Sequence, residues 1–305
     1  MTQENTGRGS LFAEISKVCP AEQNVPMSLY TTFRTGGPAD VLATPRTVEE
    51  LKAVLSVCDR AGVHRCVLGR GSNVLVRDEG FRGVIIVPCG DFRAISMNEG
   101  FIRAGSAATL SELYVFALKH RVGGFERLAG IPGSIGGAVR MNAGAYGLEI
   151  KDVIKACSYI EDGRIVTAPA ELLGLAYRRS IFCDPGERVV ISADFELPEP
   201  GKDPREIRAA FREYSEKRAS SQPLNLPSAG STFKRPAEGY AARLIDECGL
   251  KGCVRGGAGV SEKHAGFVVN YGNATSADVL AVIEHVRSVV YNKTGVALET
   301  EVEII

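Results

Sequence analysis

The 305-residue chain has no imbalance of charge: thirty-six basic residues meet thirty-six acidic ones. No global field therefore draws it to nucleic acid or to an anionic membrane. No stretch is apolar and long enough to span a bilayer, and the polar, Gly-bearing opening lacks the apolar core of a signal peptide. These absences predict a cytoplasmic protein with neither nucleic-acid nor membrane partners. No C-x-x-C pair occurs among the eight cysteines (Cys19, Cys58, Cys66, Cys89, Cys157, Cys183, Cys248, Cys253), and several have apolar neighbours. They read as reduced thiols, not as disulfides or a metal site. The four histidines, His64, His120, His264 and His285, are equally dispersed and form no zinc ligand set. Internal repeats and low-complexity tracts are absent too.

What is present is ordinary globular composition, 45% hydrophobic and 24% charged, with a length that suggests roughly two or three domains. Thr47 to Ala61 combines a Thr cap, early acids and apolar spacing, which predicts an amphipathic helix. Cys66 to Leu68, Val74 to Val76, Gly83 to Val87 and Phe101 to Ala104 read as strands, and Thr109 to His120 as a second capped helix. Further strands are predicted at Val153 to Tyr159, Arg164 to Thr167, Val189 to Leu197 and Gly266 to Asn270. Pro204 to Ser220, Gly239 to Cys248 and Ser276 to Thr294 have helical patterns. Pro198 to Pro204 is the best linker candidate. The close, Ala297 to Ile305, alternates apolar residues with Glu299, Glu301 and Glu303, which predicts a strand with one acidic face. Strands and helices mix without strict alternation, so the class is α+β. The expected divisions are 12–90, 91–200 and 201–305.

Two glycine loops are candidates for chemistry. Gly69-Arg70-Gly71-Ser72-Asn73 sits between two apolar strands, where glycines let backbone N–H groups converge on an anion while Ser and Asn add donors. It is no Rossmann fingerprint, because no helix opens after it, and no Walker lysine follows. A glycine-rich hairpin turn is the plainer account. The second loop, Gly130-Ile131-Pro132-Gly133-Ser134-Ile135-Gly136-Gly137-Ala138, lies in an unusually glycine-rich stretch from Gly123 to Gly147. Close backbone approach to a diphosphate would explain it; so would tight packing between domains. Together the loops suggest a dinucleotide lying between them.

Three early motifs are more specific: Thr32-Phe33-Arg34-Thr35-Gly36-Gly37-Pro38-Ala39, Leu68-Gly69-Arg70-Gly71-Ser72-Asn73-Val74-Leu75 and Gly130-Ile131-Pro132-Gly133-Ser134. Later come Tyr177-Arg178-Arg179-Ser180-Ile181-Phe182, Ala229-Gly230-Ser231-Thr232-Phe233-Lys234, Leu250-Lys251-Gly252 and Leu298-Glu299-Thr300-Glu301-Val302. In this order they resemble the UDP-N-acetylenolpyruvoylglucosamine reductase family from about Thr32 onward. Phe182 to Ser220 lacks the insertion that bears a lid tyrosine in the longer branch, so the shorter, type II branch is the nearer likeness. The resemblance implies an FAD-binding fold of the p-cresol methylhydroxylase and vanillyl-alcohol oxidase type in two subdomains, followed by a C-terminal α/β substrate-binding domain.

It also implies an activity. NADPH reduces non-covalently bound FAD, and a hydride then passes to the enolpyruvyl ether of UDP-N-acetylglucosamine in peptidoglycan precursor synthesis. Arg178 matches the family arginine that stabilises the resulting enolate, Ser231 the proton donor and Glu301 the family glutamate. The cofactor set comprises Gly69, Arg70, Gly71, Ser72, Asn73, Gly130, Pro132, Gly133, Ser134 and Gly137. Tyr177, Lys234, Tyr240 and His264 are the substrate contacts, and a monomer is expected. By itself each residue also has a plain reading: a salt bridge for Arg178, a turn for Ser231, a solvated edge for Glu301. Another flavin oxidase of this fold would explain the loops alone, and a non-catalytic nucleotide-sugar sensor would lack one of the three catalytic residues.

Overall fold

The computed structural model describes residues 10–184, 188–237 and 239–305. Local sequence logic governs the helices. Thr47 caps Val48–Ala61 by accepting from the Glu50 N–H, and Gly62 closes that helix in the left-handed conformation, φ 61°. Thr109 and Glu112 form a reciprocal capping box on Leu110–Lys119, as Thr275 and Asp278 do on Ser276–Thr294. A four-stranded sheet runs in the order Ala21–Pro26, Pro38–Ala43, Phe81–Ile86, Arg65–Val67. Its first two strands escape the sequence reading for different reasons. Ala21–Pro26 is mostly polar, whereas Pro38–Ala43 buries five consecutive residues and shows no alternation.

The chain forms two compact units. The first takes the described residues of 1–23, 41–70 and 83–216. An antiparallel five-stranded sheet dominates it, in the order Arg164–Pro169, Ile154–Glu161, Val189–Phe195, Phe101–Gly105, Ile95–Asn98. Leu110, Leu113, Phe125, Ile135, Val139 and Phe195 belong to one apolar core, and Leu51, Val54, Ile86 and Phe92 to a second. Pro198 to Pro204, expected as a linker, is instead fastened within this unit. Glu199–Pro200 pairs with Val122–Gly123, and Lys202 forms an ion pair with Glu199. The chain continues into helix Pro204–Ser221, where Phe211 stacks on Tyr114 with 4.5 Å between ring centroids.

The second unit takes 24–40, 71–82 and 217–305. A three-stranded sheet, Val254–Arg255, Ala258–Val260 and Val268–Asn270, packs with Ser276–Thr294 through a core that includes Val260, Val268, Val279, Ile283 and Val286. The closing segment departs from the expected single strand. Thr300 bridges Phe233 antiparallel, and Glu303–Ile304 then pairs parallel with Val74–Leu75. Its residues alternate correctly, but the partner changes midway. All eight cysteines are free thiols. No helix of the described residues is long and apolar enough to cross a membrane.

Candidate active site

The first glycine loop begins where the Leu68 N–H makes a last sheet-like bond, to the Ile86 carbonyl at 2.8 Å. The backbone N–H groups of Gly69, Arg70, Gly71 and Ser72 then have no acceptor among the described residues. Consecutive amides released in this way make an anion-binding concavity. Gly71 has φ +58°, and a Cβ there would lie 2.0 Å from the Tyr30 carbonyl oxygen, so no other residue fits. One expected donor is partly engaged. Asn73 Nδ2 donates one of its two amide protons to the Glu301 carbonyl at 3.0 Å, which leaves the second for an anion.

The second loop opens a helix that the sequence reading had not placed, Ile135–Arg140, capped by Ser134. Ser134 is only 3% exposed, and its hydroxyl accepts from the Gly137 N–H at 3.5 Å. The hydroxyl thus accepts from the fold and keeps its own proton to donate. Residues 106–110 hold the loop along its length: the Gly136 N–H donates to the Ser106 carbonyl (2.9 Å) and the Ile135 N–H to Ala108 (2.8 Å), while the Leu110 N–H donates back to Gly133 (3.2 Å). The two loops meet closely, since a Cβ on Gly69 would lie 2.2 Å from Ser134 Oγ. Gly133 is different. Its φ is not left-handed, and the nearest atom to a Cβ there is Ile131 Cγ2 at 3.8 Å. Internal packing does not require glycine at that position, and the backbone there is open to an external group. Free amides on one loop and an open glycine on the other fit the diphosphate of FAD.

Arg178 occupies a two-residue turn closed by Ala176 and Arg179, whose N–H and C=O groups exchange bonds of 3.0 and 3.1 Å. Its φ is +54°, at the turn position where glycine is usual. Holding a Cβ residue left-handed costs about 1–2 kcal/mol. Such strain persists where a side chain is wanted at that point. The guanidinium carbon sits 5.0 Å from the ring centre of Tyr177, itself 47% exposed. Neighbouring Arg179 makes an outward ion pair with Asp184, 3.0 Å.

In the second unit, Thr232 organises the other candidates. Its N–H donates to the Gly266 carbonyl and its carbonyl accepts from the Glu301 N–H, both at 2.8 Å. Ser231, exposed, therefore lies beside both the 264–267 turn and Glu301. The preceding Gly230 takes the turn's left-handed conformation, φ +77°. Lys234 continues the pairing through its N–H to the Glu299 carbonyl, 2.9 Å, and its ammonium lies 3.2 Å from the Glu299 carboxylate. His264 is half-buried, and its Nδ1 accepts from the Gly266 N–H at 3.1 Å. In the neutral ring the proton must then sit on Nε2. Burial, and secondarily the charge of Lys251, hold its pKa below the ordinary histidine value. Tyr240 is 60% exposed at the start of Ala241–Glu247, with the Arg235 guanidinium 4.3 Å over its ring.

Three residues in these clusters had no assigned role. Lys251 lies in a motif already singled out, so its part beside His264 was within reach. Asn142 and Glu149 were not, because only tertiary contacts bring them to the Arg178 turn.

A backbone cradle for a dinucleotide diphosphate and a separate unit bearing an exposed serine beside a glutamate define a two-part flavoprotein oxidoreductase. Residues 39–172 match an FAD binding domain, and residues 222–305 match the UDP-N-acetylenolpyruvoylglucosamine reductase C-terminal domain. The UDP-N-acetylenolpyruvoylglucosamine reductase of Clostridioides difficile (strain 630) is 44% identical over 281 residues, 92% of this chain and 91% of the relative. That of Syntrophomonas wolfei is 42% identical over 97% of this chain and 99% of its own length. The crystal structure of the Thermus caldophilus enzyme superposes with a TM-score of 0.80 at 36% identity, covering 94% of this chain and 99% of that one. The chain belongs to the UDP-N-acetylenolpyruvoylglucosamine reductase family.

Proposed function

We propose that Arg178, Ser231 and Glu301 carry the substrate half of the family reaction, the NADPH-dependent reduction of UDP-N-acetylglucosamine enolpyruvate to UDP-N-acetylmuramate. FAD, when bound, relays a hydride from NADPH to the terminal vinyl carbon. The residues of this chain handle the charge and the proton. Hydride arrival leaves an electron pair on the neighbouring carbon, delocalised into the substrate carboxylate. The Arg178 guanidinium, with donors in a fixed fork, stabilises that charge. Ser231 gives its hydroxyl proton to the carbon and regains one from solvent, to which its exposure opens it. Glu301, joined through its backbone to Thr232, hydrogen-bonds within the same site.

Residues 12–90 and 91–200 bind FAD, without a covalent link, through Gly69 to Asn73 and Gly130, Pro132, Gly133, Ser134 and Gly137. Residues 201–305 bind the nucleotide sugar through Lys234, Tyr240 and His264, and Tyr177 contacts it from the Arg178 turn. The protein acts as a cytoplasmic monomer. The observation that carries the assignment is the arginine held where glycine would be relaxed. The test is anaerobic: NADPH bleaches the bound flavin, and the enolpyruvyl substrate restores its colour in wild type but not in Arg178→Ala. Restoration at the wild-type rate by that variant would remove Arg178 from the mechanism.

A further inference from the structure

We propose that Asn142 is a positioning residue for Arg178, acting by locking the turn that carries it. This rests on the reading of Arg178 given above. Asn142 is completely buried, and its own backbone is left-handed, φ +41°. Asparagine tolerates that conformation better than most residues, but its side chain is the more telling feature. Nδ2 donates to the Ala176 carbonyl at 3.1 Å and to Glu149 Oε2 at 3.0 Å, while Oδ1 accepts from the Lys151 N–H at 2.9 Å. One amide thus ties the end of the second glycine stretch, the Gly144–Glu149 hairpin and the Tyr177-Arg178 turn together.

The Ala176 carbonyl is the critical attachment, because Ala176 also closes the turn by its paired bonds with Arg179. A strained arginine needs such over-determination, since an unlocked turn would relax away from φ +54°. The same amide holds Glu149 in place. The Glu149 carboxyl is kept below its usual range first by Lys151 and also by Asn142 and the charge of Arg178. Its charge thereby attracts that of Arg178.

Asn142→Asp isolates the effect. The isosteric side chain keeps an acceptor for the Lys151 N–H but turns the donor facing Ala176 and Glu149 into a repelled oxygen. Misplacing a catalytic group by about an ångström typically slows chemistry on the order of 10–100-fold. We expect reoxidation of the flavin by substrate to slow by about that factor, with flavin content and NADPH bleaching within about twofold of wild type. In an Arg178→Ala background, Asn142→Asp should produce no further slowing, because it acts only through the arginine. Glu149→Gln, which keeps an oxygen for Asn142 but loses the charge, is a milder second probe and should slow only the same half-reaction. Equal loss in both half-reactions, full additivity with Arg178→Ala, or a wild-type rate in the Asp variant would each overturn the proposal. A full substrate rate in Arg178→Ala alone would instead sink the underlying reading.

Discussion

The Tyr177-Arg178 turn of the first unit and the Gly230-Ser231 turn of the second solve one problem in opposite ways. Both present a polar side chain at the tip of a tight bend. In the second, Gly230 takes the left-handed conformation at φ +77° with nothing within 4 Å of where a Cβ would lie, so Ser231 follows on relaxed backbone. In the first, Arg178 takes that conformation itself, braced by Asn142 beneath it. On the proposed reading the exposed serine recovers its proton from solvent and needs no exact placement until substrate arrives. On the same proposed reading the arginine holds a planar fork against a developing charge, a task that a fixed backbone with a buried brace suits. The difference matches the proposed roles, a proton donor that is presented and a charge stabiliser that is aimed.

The largest expected effect tests the presented side of this contrast. Ser231→Ala should leave the NADPH bleaching rate near normal while reoxidation by substrate falls about 10²- to 10⁴-fold, the usual scale of general acid catalysis. Stopped-flow absorbance reads both phases, and a parallel fall would mean damaged cofactor binding. Glu301 should respond more gently. Glu301→Gln retains a hydrogen-bond donor and should keep most substrate-phase activity, whereas Glu301→Ala should lose about tenfold or more. Gln as damaged as Ala would point to proton delivery or orientation of other groups.

A glycine contrast comes next. Gly133→Val places its Cβ in ordinary van der Waals contact, so the apo-protein should melt near the wild-type temperature yet retain little FAD. Gly71→Ala meets the Tyr30 carbonyl at 2.0 Å and should destabilise the apo-protein itself. Full flavin occupancy in Gly133→Val would refute the cradle. The strain claim predicts a smaller difference. Arg178→Gly should be more stable than Arg178→Ala by about 1 kcal/mol, since both lose the guanidinium but only Ala keeps a strained Cβ. Ser231→Gly should gain nothing over Ser231→Ala, and chemical denaturation can compare the four.

The smallest effect is a pH dependence. His264 has a folded pKa below its unfolded value of 6.5, so the unfolded chain binds more protons in the window just beneath that value. The stabilisation is full above pH 6.5 and is lost as pH falls toward the folded pKa. Replacing His264 with Gln should flatten that part of the stability–pH curve. An unchanged slope would mean that His264 is not held neutral.

Much of this protein was written in local sequence. Thr47 and Thr109 announce their helices because a cap is a contact between residues three apart. The family motifs marked Arg178, Ser231 and Glu301, and glycine density marked both loops. Tertiary structure alone decided how those parts are used. It tied one Asn73 amide proton to the Glu301 carbonyl across 228 residues and made the Ser134 hydroxyl accept from a helix N–H. It also pinned the expected linker to Val122–Gly123 and divided the final strand between two partners. Spacing carries no record of such choices: a polar side chain has the same donors whether it meets a ligand or a distant carbonyl, and only the folded chain determines which comes within reach.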